Sequence, residues 1–197
     1  YFAHNGDYRL RTYIHGSTIS PQGCDWDKGI LEFGNKKTLT KEGFTELRIS
    51  IINSLGMDKI TYFAREYKFF ELYESGQLHT WAGMILQGIL PSDVDEPHVF
   101  FNLMNQYERA RKGLPVGAIC HRDGTASGAQ ILSACTYDVA GMIGSNVISL
   151  EEEKRHDPYT ELYDTAKPYL PKGTHINRTD MKKVATMPAL YGGIAGV

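Results

Sequence analysis

The spacing of hydrophobic and polar positions divides the chain into four blocks. In residues 1–37, β-branched and aromatic residues are broken by Gly and Pro. "RLRTYIHG", the turn "SPQG" and then "KGILEFGNKK" predict short strands and loops. Residues 38–114 carry a helical period instead. Phe44, Leu47, Ile51 and Leu55 recur at helical spacing behind a Thr40 cap and ahead of a closing Gly56. "FAREYKFFELYESGQ" and "EPHVFFNLMNQYERARKG" repeat that signal, the second with Pro97 in its first turn and Gly113 as terminator. In residues 115–140 and just beyond, "LPVGAICHRD" predicts a buried strand and "ASGAQILSACTYDVAGMIG" a helix packed closely on it. Residues 141–197 close the chain as helix and loop, ending in "NRTDMKKVATMPALYGG". There is no internal repeat and no low-complexity linker.

The stretch "CHRDGTASGAQ" has a composition of its own. Asp123 directly follows the apolar run Pro115–Cys120 and precedes seven small or uncharged residues. A carboxylate at the end of a rigid strand, with little bulk beside it, is placed to hold a hard cation at a fixed point. The same Asp-Gly pair equally suits a turn that caps the following helix. The residues alone leave both readings open.

Composition narrows the class without deciding the chemistry. With 197 residues, 42% hydrophobic and 22% charged, the chain is expected to form one globular domain with a sizeable core. A net charge of −2 gives no global attraction to nucleic acid, so a polyanion would be held by local basic residues. Cys24, Cys120 and Cys135 are widely separated and form no C-x-x-C pair, which argues against a disulfide framework and a zinc knuckle and for a reducing compartment. No apolar run approaches the roughly 20 residues of a membrane span. The chain lacks an initiator Met and begins and ends inside patterned sequence, so a piece of something longer is expected.

Four stretches, in order along nearly the whole chain, resemble the single-subunit RNA polymerases of phages and mitochondria. "DGTASGAQILSA" is similar to motif A of that family, D-G-S/T-x-S/T-G-x-Q-x-x-S/A-A. The resemblance implies that Asp123 binds catalytic magnesium ions, with Gly124 lying along the same site. "FAHNGDYRLRTY" and "SPQGCDWDKGIL" resemble two N-terminal palm motifs, which implies that Arg9, Arg11 and Lys28 lie by the nucleic acid and the reacting end of the RNA. "KKVATMPALYGG" resembles motif B, K-x-x-x-M-x-x-x-Y-G, on the fingers helix. Its lysine grips the incoming triphosphate and its tyrosine helps choose ribose, which implies these roles for Lys183 and Tyr191, beside Met187 and Gly192. "DPYTELY" matches a short helix carrying a second sugar-facing tyrosine, here Tyr163.

The expected fold is therefore α+β: a right-hand polymerase palm with a partial antiparallel sheet, a helical insertion at 38–114, a motif A strand and helix at 115–140, and the start of helical fingers at 141–197. The implied reaction is template-directed nucleotidyl transfer from NTPs to the RNA 3′-hydroxyl, with Mg2+ as cofactor and a DNA template and RNA product as partners. Its chemistry suits these residue types. Carboxylates hold magnesium, and a triphosphate needs fixed positive charge, which Arg178, Lys182 and Lys183 supply in one cluster. On an ideal helix residues four and eight apart drift by about 40° and 80°, so Lys183, Met187 and Tyr191 share a face.

The chain also departs from the pattern. Arg178 stands five residues before Lys183 but four before Lys182, where the family spacing is four, so either lysine can be the functional one. Arg178 and Lys183 would lie about 140° apart on a regular helix, and Pro188 interrupts its bonding, so a kink or a late helix start is expected. Leu10 replaces a usual glycine, and Tyr137 stands where many members carry a basic residue. Motif C, a His-Asp pair well after motif B that brings the second metal-binding carboxylate, has no counterpart. His156-Asp157 lies between motifs A and B, runs into Pro158, and reads as a loop and helix cap. A second polypeptide or further segments are thus expected to bring motif C, the thumb and the promoter-reading parts. The compartment implied is the cytoplasm of an infected bacterium, or the mitochondrion. Two other readings are a related family A DNA polymerase, whose motif A typically begins Asp-Tyr-Ser rather than Asp-Gly-Thr, and a non-catalytic helical module that binds nucleic acid through Arg9, Arg11 and Lys28.

Overall fold

The computed structural model describes residues 2–6, 12–15, 19–122, 126–149, 156–171, 173 and 175–186. It divides into two compact units, Tyr1–His121 and Arg122–Val197. Helices dominate, with a small antiparallel sheet of two strands, an arrangement compatible with the expected α+β class.

The first unit opens with β1 (Ala3–Gly6) and β2 (Thr12–His15), paired so that Ala3 faces His15 and Gly6 faces Thr12. The "SPQG" turn follows, closed by Gly23 N–H donating to the Ser20 carbonyl at 2.9 Å. Its Gln22 side chain reaches back to accept from Ile14 N–H at 3.1 Å. The next residues correct the expectation of strand and loop: Asp25–Gly29 form a short helix, α1. Asp27 at its third position accepts from Cys24 N–H at 3.3 Å, and Asp25 and Asp27 both place negative charge at the helix start.

The helical block forms as its period predicts. Helix α2 (Lys41–Ser54) is capped by Thr40, whose hydroxyl accepts from Gly43 N–H at 3.2 Å. Helix α3 (Tyr62–Glu74) starts in the same way at Thr61. Gly76 at φ +77° turns the chain directly into α4 (Gln77–Leu86). Helix α5 (Pro97–Arg111) has its proline in the first turn, and Gly113 at φ +72° ends it.

These four helices enclose the core. Leu47, Ile51, Ile52, Phe69, Leu78, Trp81, Phe100, Leu103 and Met104 are all buried there, Phe69 and Phe100 completely. The Phe69 ring lies 4.9 Å from Tyr107, and Phe100 lies 6.4 Å from Trp81, both edge to face. Buried Arg65 fastens the α2–α3 connection by donating to the Ile60 and Asp58 carbonyls and to Asn53. Phe100→Ala removes a ring from a fully enclosed site and is expected to cost about 3–5 kcal/mol. Urea unfolding of the chain measures it, and a loss below about 1 kcal/mol would show that the core is centred elsewhere.

"LPVGAICHRD" is not a strand over its described residues, 114–122, and this corrects the sequence expectation. Only Lys37 and Val116 form a bridge, with Phe33 N–H donating to the Gly117 carbonyl at 2.8 Å beside it. The physical reason lies in its neighbours. Pro115 has no N–H to give, and the Gly117 N–H is taken by the Gln106 side chain at 3.2 Å rather than by a ladder. Gly117 also presses so closely on Phe33 that a Cβ would sit 2.3 Å from that carbonyl oxygen.

In the second unit the single expected helix over Ala126–Gly144 is two, α6 (Ser127–Thr136) and α7 (Val139–Gly144). Tyr137 at φ +56° ends the first, and Asp138 caps the second by accepting from Gly141 N–H at 3.1 Å. Helix α8 (Pro158–Ala166) and a tight turn at Lys167–Tyr169 follow. Helix α9 (Arg178–Asp180) starts from an Asn177–Asp180 capping box and widens at once into a π-helical turn, Met181–Thr186. Among the described residues no helix is long and apolar enough to cross a membrane.

Candidate active site

Of the residues singled out in the sequence, Arg9, Arg11, Asp123, Gly124, Met187, Tyr191 and Gly192 lie outside the described residues, as do Leu10 and Pro188. Lys28, Tyr163, Arg178, Lys182 and Lys183 are described, Lys28 in the first unit and the other four in the second.

Lys28 is set by a joint between α1 and α5. The α5 N-terminus has no side-chain cap of its own, and Asp25 of α1 supplies one from 73 residues away. Its two carboxylate oxygens accept from the His98 and Val99 N–H groups, each at 3.0 Å, and Oδ2 also meets His98 Nδ1 at 2.6 Å. Gly29 lies so near the His98 backbone that a Cβ would stand 2.6 Å from it. Asn102 on α5 donates to the Gly29 and Leu31 carbonyls. With α1 held this way, Lys28 Nζ meets Glu96 Oε1 at 2.8 Å. The partly buried His121 is held below the usual histidine range, first by burial and then by the nearby Lys28 charge, with Glu96 opposing.

The second group assembles on α8. Asp157 is its N-cap, accepting from the N–H of Tyr159 at 3.1 Å and of Thr160 at 3.4 Å, with Pro158 at the first helical position. The His156-Asp157 pair is thus the loop and cap that the sequence predicts. The same carboxylate accepts the Thr160 hydroxyl at 2.8 Å and both Nε (3.0 Å) and Nη2 of Arg178. Arg178 Nε also meets Thr160 Oγ1 at 2.8 Å. Burial pushes the Asp157 carboxyl up, but hydrogen bonds from Thr160 and Arg178 and the Arg178 charge outweigh it and hold it below the ordinary Asp value.

Buried Tyr159 completes the group. Arg178 lies over its ring at 5.8 Å, and Lys182 Nζ lies over the same ring at 4.7 Å. Lys183 is exposed to solvent, and Tyr163 is half-buried on α8 with Lys167 Nζ 5.8 Å from its ring. The structure brings Arg178 and Lys182, at the spacing of four, to the same Tyr159 ring. The π turn is an irregularity that the sequence does not predict, and the kink or late start expected at Pro188 lies outside the described residues. The wider winding of the π turn brings residues five apart nearer to one face than an α-helix does.

Sequence reasoning missed Asp157 and Thr160 as partners of Arg178, and Asp25 and Glu96 as the supports of Lys28. The Asp-Pro start of α8 was a legible signal for the first pair. Nothing in the sequence pairs Lys28 with a residue 68 positions away. Asp123 is a hard oxygen donor of the kind that magnesium takes. Among the described residues no group of three or more His, Cys, Asp or Glu could hold a metal ion.

No family model matches the chain. It is, however, similar to several curated polymerases. The DNA-directed RNA polymerase of Pseudomonas phage phiKMV is 32% identical over 146 residues, covering 72% of this chain and 18% of that protein. T7 RNA polymerase of Escherichia phage T7 is 29% identical over 202 aligned positions, covering 99% of this chain and 22% of the relative. The mitochondrial DNA-directed RNA polymerase 1 of Arabidopsis thaliana is 29% identical over 178 residues, covering 82% and 17%. The chain spans about a fifth of the length of the curated relatives it matches. Phage and plant relatives of one kind, aligned along most of the sequence, place this chain in the family of single-subunit, phage- and mitochondrial-type DNA-directed RNA polymerases.

Proposed function

We propose that the chain forms the catalytic part of a DNA-directed RNA polymerase, comprising some of the palm (1–37 and 115–140), a helical palm insertion (38–114) and the start of the fingers (141–197). The observation that carries this reading is the run "DGTASGAQILSA", beginning at Asp123, in a chain related to such polymerases over most of its length. The reaction is attack of the RNA 3′-oxygen on the α-phosphorus of an NTP, which forms the new phosphodiester and releases pyrophosphate.

Asp123, with Gly124 beside it, would hold Mg2+ together with a carboxylate brought by another segment or polypeptide. The ion would supply activation of the 3′-hydroxyl and neutralisation of the leaving pyrophosphate. Lys28, Arg9 and Arg11 would lie by the nucleic acid. Lys182 and Lys183 would bring positive charge to the triphosphate, while Tyr163 and Tyr191 would face the sugar, with Met187 and Gly192 lining the same pocket. DNA template, RNA product and NTPs are the partners. A second chain or further segments carrying motif C would complete the centre, in the cytoplasm of an infected bacterium or in a mitochondrion. Exposed apolar side chains on α3 (Phe63, Tyr67) and on α6 and α7 (Ile131, Val139) support packing against such segments.

Primer extension by the assembled polymerase tests the reading. It is expected to incorporate ribonucleotides on a DNA template, to strongly disfavour dNTPs, and to stop when EDTA removes the divalent metal. Equal use of dNTPs would favour the DNA polymerase reading, and binding without metal-dependent synthesis would favour a non-catalytic module.

A further inference from the structure

Arg178 is the residue whose surroundings differ most from the role its motif implies. A triphosphate ligand needs its guanidinium fork turned toward the substrate, whereas here Nε and Nη2 are both given to Asp157, and Nε also meets the Thr160 hydroxyl. The plane rests over buried Tyr159. Asp157 is equally committed, because it caps α8 through the N–H groups of Tyr159 and Thr160. The joint therefore connects two helix starts. Asp157 begins the helix that carries Tyr163, and Arg178 is the first residue of the helix that carries Lys182 and Lys183.

We propose that Arg178 and Asp157 are positioning residues that fix α8 against the helix carrying Lys182 and Lys183, and so set the sugar-facing Tyr163 relative to the lysines that meet the triphosphate. This rests on the polymerase reading above. Arg178 then contributes to choosing ribose without touching phosphate, and Lys182 and Lys183 carry the charge that meets the triphosphate. Both partners are more than a third exposed, so the ion pair alone would be weak. What gives the joint its hold is a network in which one carboxylate serves two N–H groups, one hydroxyl and a two-pronged guanidinium, over an aromatic face.

The two roles differ in measurable ways. Asp157→Asn keeps a good helix cap and loses the charge that holds Arg178. If Arg178 positions the helices, Asp157→Asn and Arg178→Ala should produce the same defect in the assembled polymerase: about a tenfold fall in the preference for rNTP over dNTP. The double variant should be no worse than either single one, because each change breaks the same joint. Thr160→Val, which leaves both charges in place, should lower the same ratio to a smaller extent.

If Arg178 instead grips phosphate, Arg178→Ala should raise KM for rNTP and dNTP alike and leave their ratio unchanged. Asp157→Asn should then leave KM unchanged or lower it, since it releases the guanidinium. That pattern would overturn the inference while leaving the polymerase reading intact. A wild-type enzyme without preference for rNTP would remove the reading itself.

Discussion

Replacing Asp123 by Asn is expected to lower RNA synthesis by roughly 10³-fold or more, since a metal ion at the reacting phosphate supplies several kcal/mol of transition-state stabilisation. The carboxamide keeps the size and shape of the side chain but loses the charge that holds magnesium. Asn is as good as Asp at the start of a helix or turn, so the substitution separates the two readings that the sequence leaves open. If Asp123 is only a cap, the variant should synthesise RNA at nearly the wild-type rate. If it is a metal ligand, synthesis should be lost while thermal melting and DNA binding stay within error of wild type. Single-turnover extension of a preformed RNA–DNA scaffold is the measurement, because it isolates the chemical step from promoter binding and product release.

The elements legible in the sequence are those whose signals are local. Helix α5 has its Pro in the first turn, apolar residues at Val99, Phe100, Leu103, Met104 and Tyr107, and Gly113 just past its end, and all three signals agree with the structure. Helix α2 shows the same agreement from Thr40 to Gly56. "LPVGAICHRD" shows why an apolar run alone misleads. Val116 and Gly117 are buried, yet the run meets a single bridge at Lys37 and a glutamine side chain rather than a neighbouring strand. Burial was legible only at Val116 and Gly117, since Leu114 and Pro115 are exposed, and the partner was not legible at all. The break between α6 and α7 turns on Tyr137 taking a left-handed backbone, which a bulky residue seldom does. Asp138 was a usable cap signal there, but the apolar period runs on past it.

For the described site residues, the contacts that hold them were not legible. The spacing of "NRTDMKK" raised a question that sequence periodicity answers only for a regular helix. The structure contains an α-helical first turn and a π-helical second one, a combination without a fixed repeat. Likewise, one carboxylate on a five-residue helix caps a helix that starts more than seventy residues later, and this contact depends on tertiary packing alone.

The lysine pair provides the second large effect. Lys182 rests over the Tyr159 ring beside Arg178, so its ammonium already has a partner, whereas Lys183 is exposed and stands four and eight residues before Met187 and Tyr191. On an ideal α-helix that spacing would put Lys183 and Tyr191 on one face, which the roles proposed for them require. Lys183→Ala is therefore expected to raise the KM of every NTP alike, by about 10- to 100-fold, the worth of one charge-assisted hydrogen bond to phosphate. Lys182→Ala should change KM severalfold less. Tyr191→Phe should leave KM for rNTP nearly unchanged and relax the discrimination against dNTP, because in the role proposed for it the hydroxyl meets the sugar and not the phosphate. Steady-state extension with all four rNTPs and their deoxy counterparts reads the three variants in one experiment. A larger defect in Lys182→Ala would make the spacing of four from Arg178 the functional register and would put the π turn, not Lys183, in charge of bringing Tyr191 to the site. If neither lysine changed KM and the Phe variant discriminated sugars as sharply as wild type, the motif B resemblance would be a chance run on a surface helix, and the polymerase reading would rest on Asp123 alone.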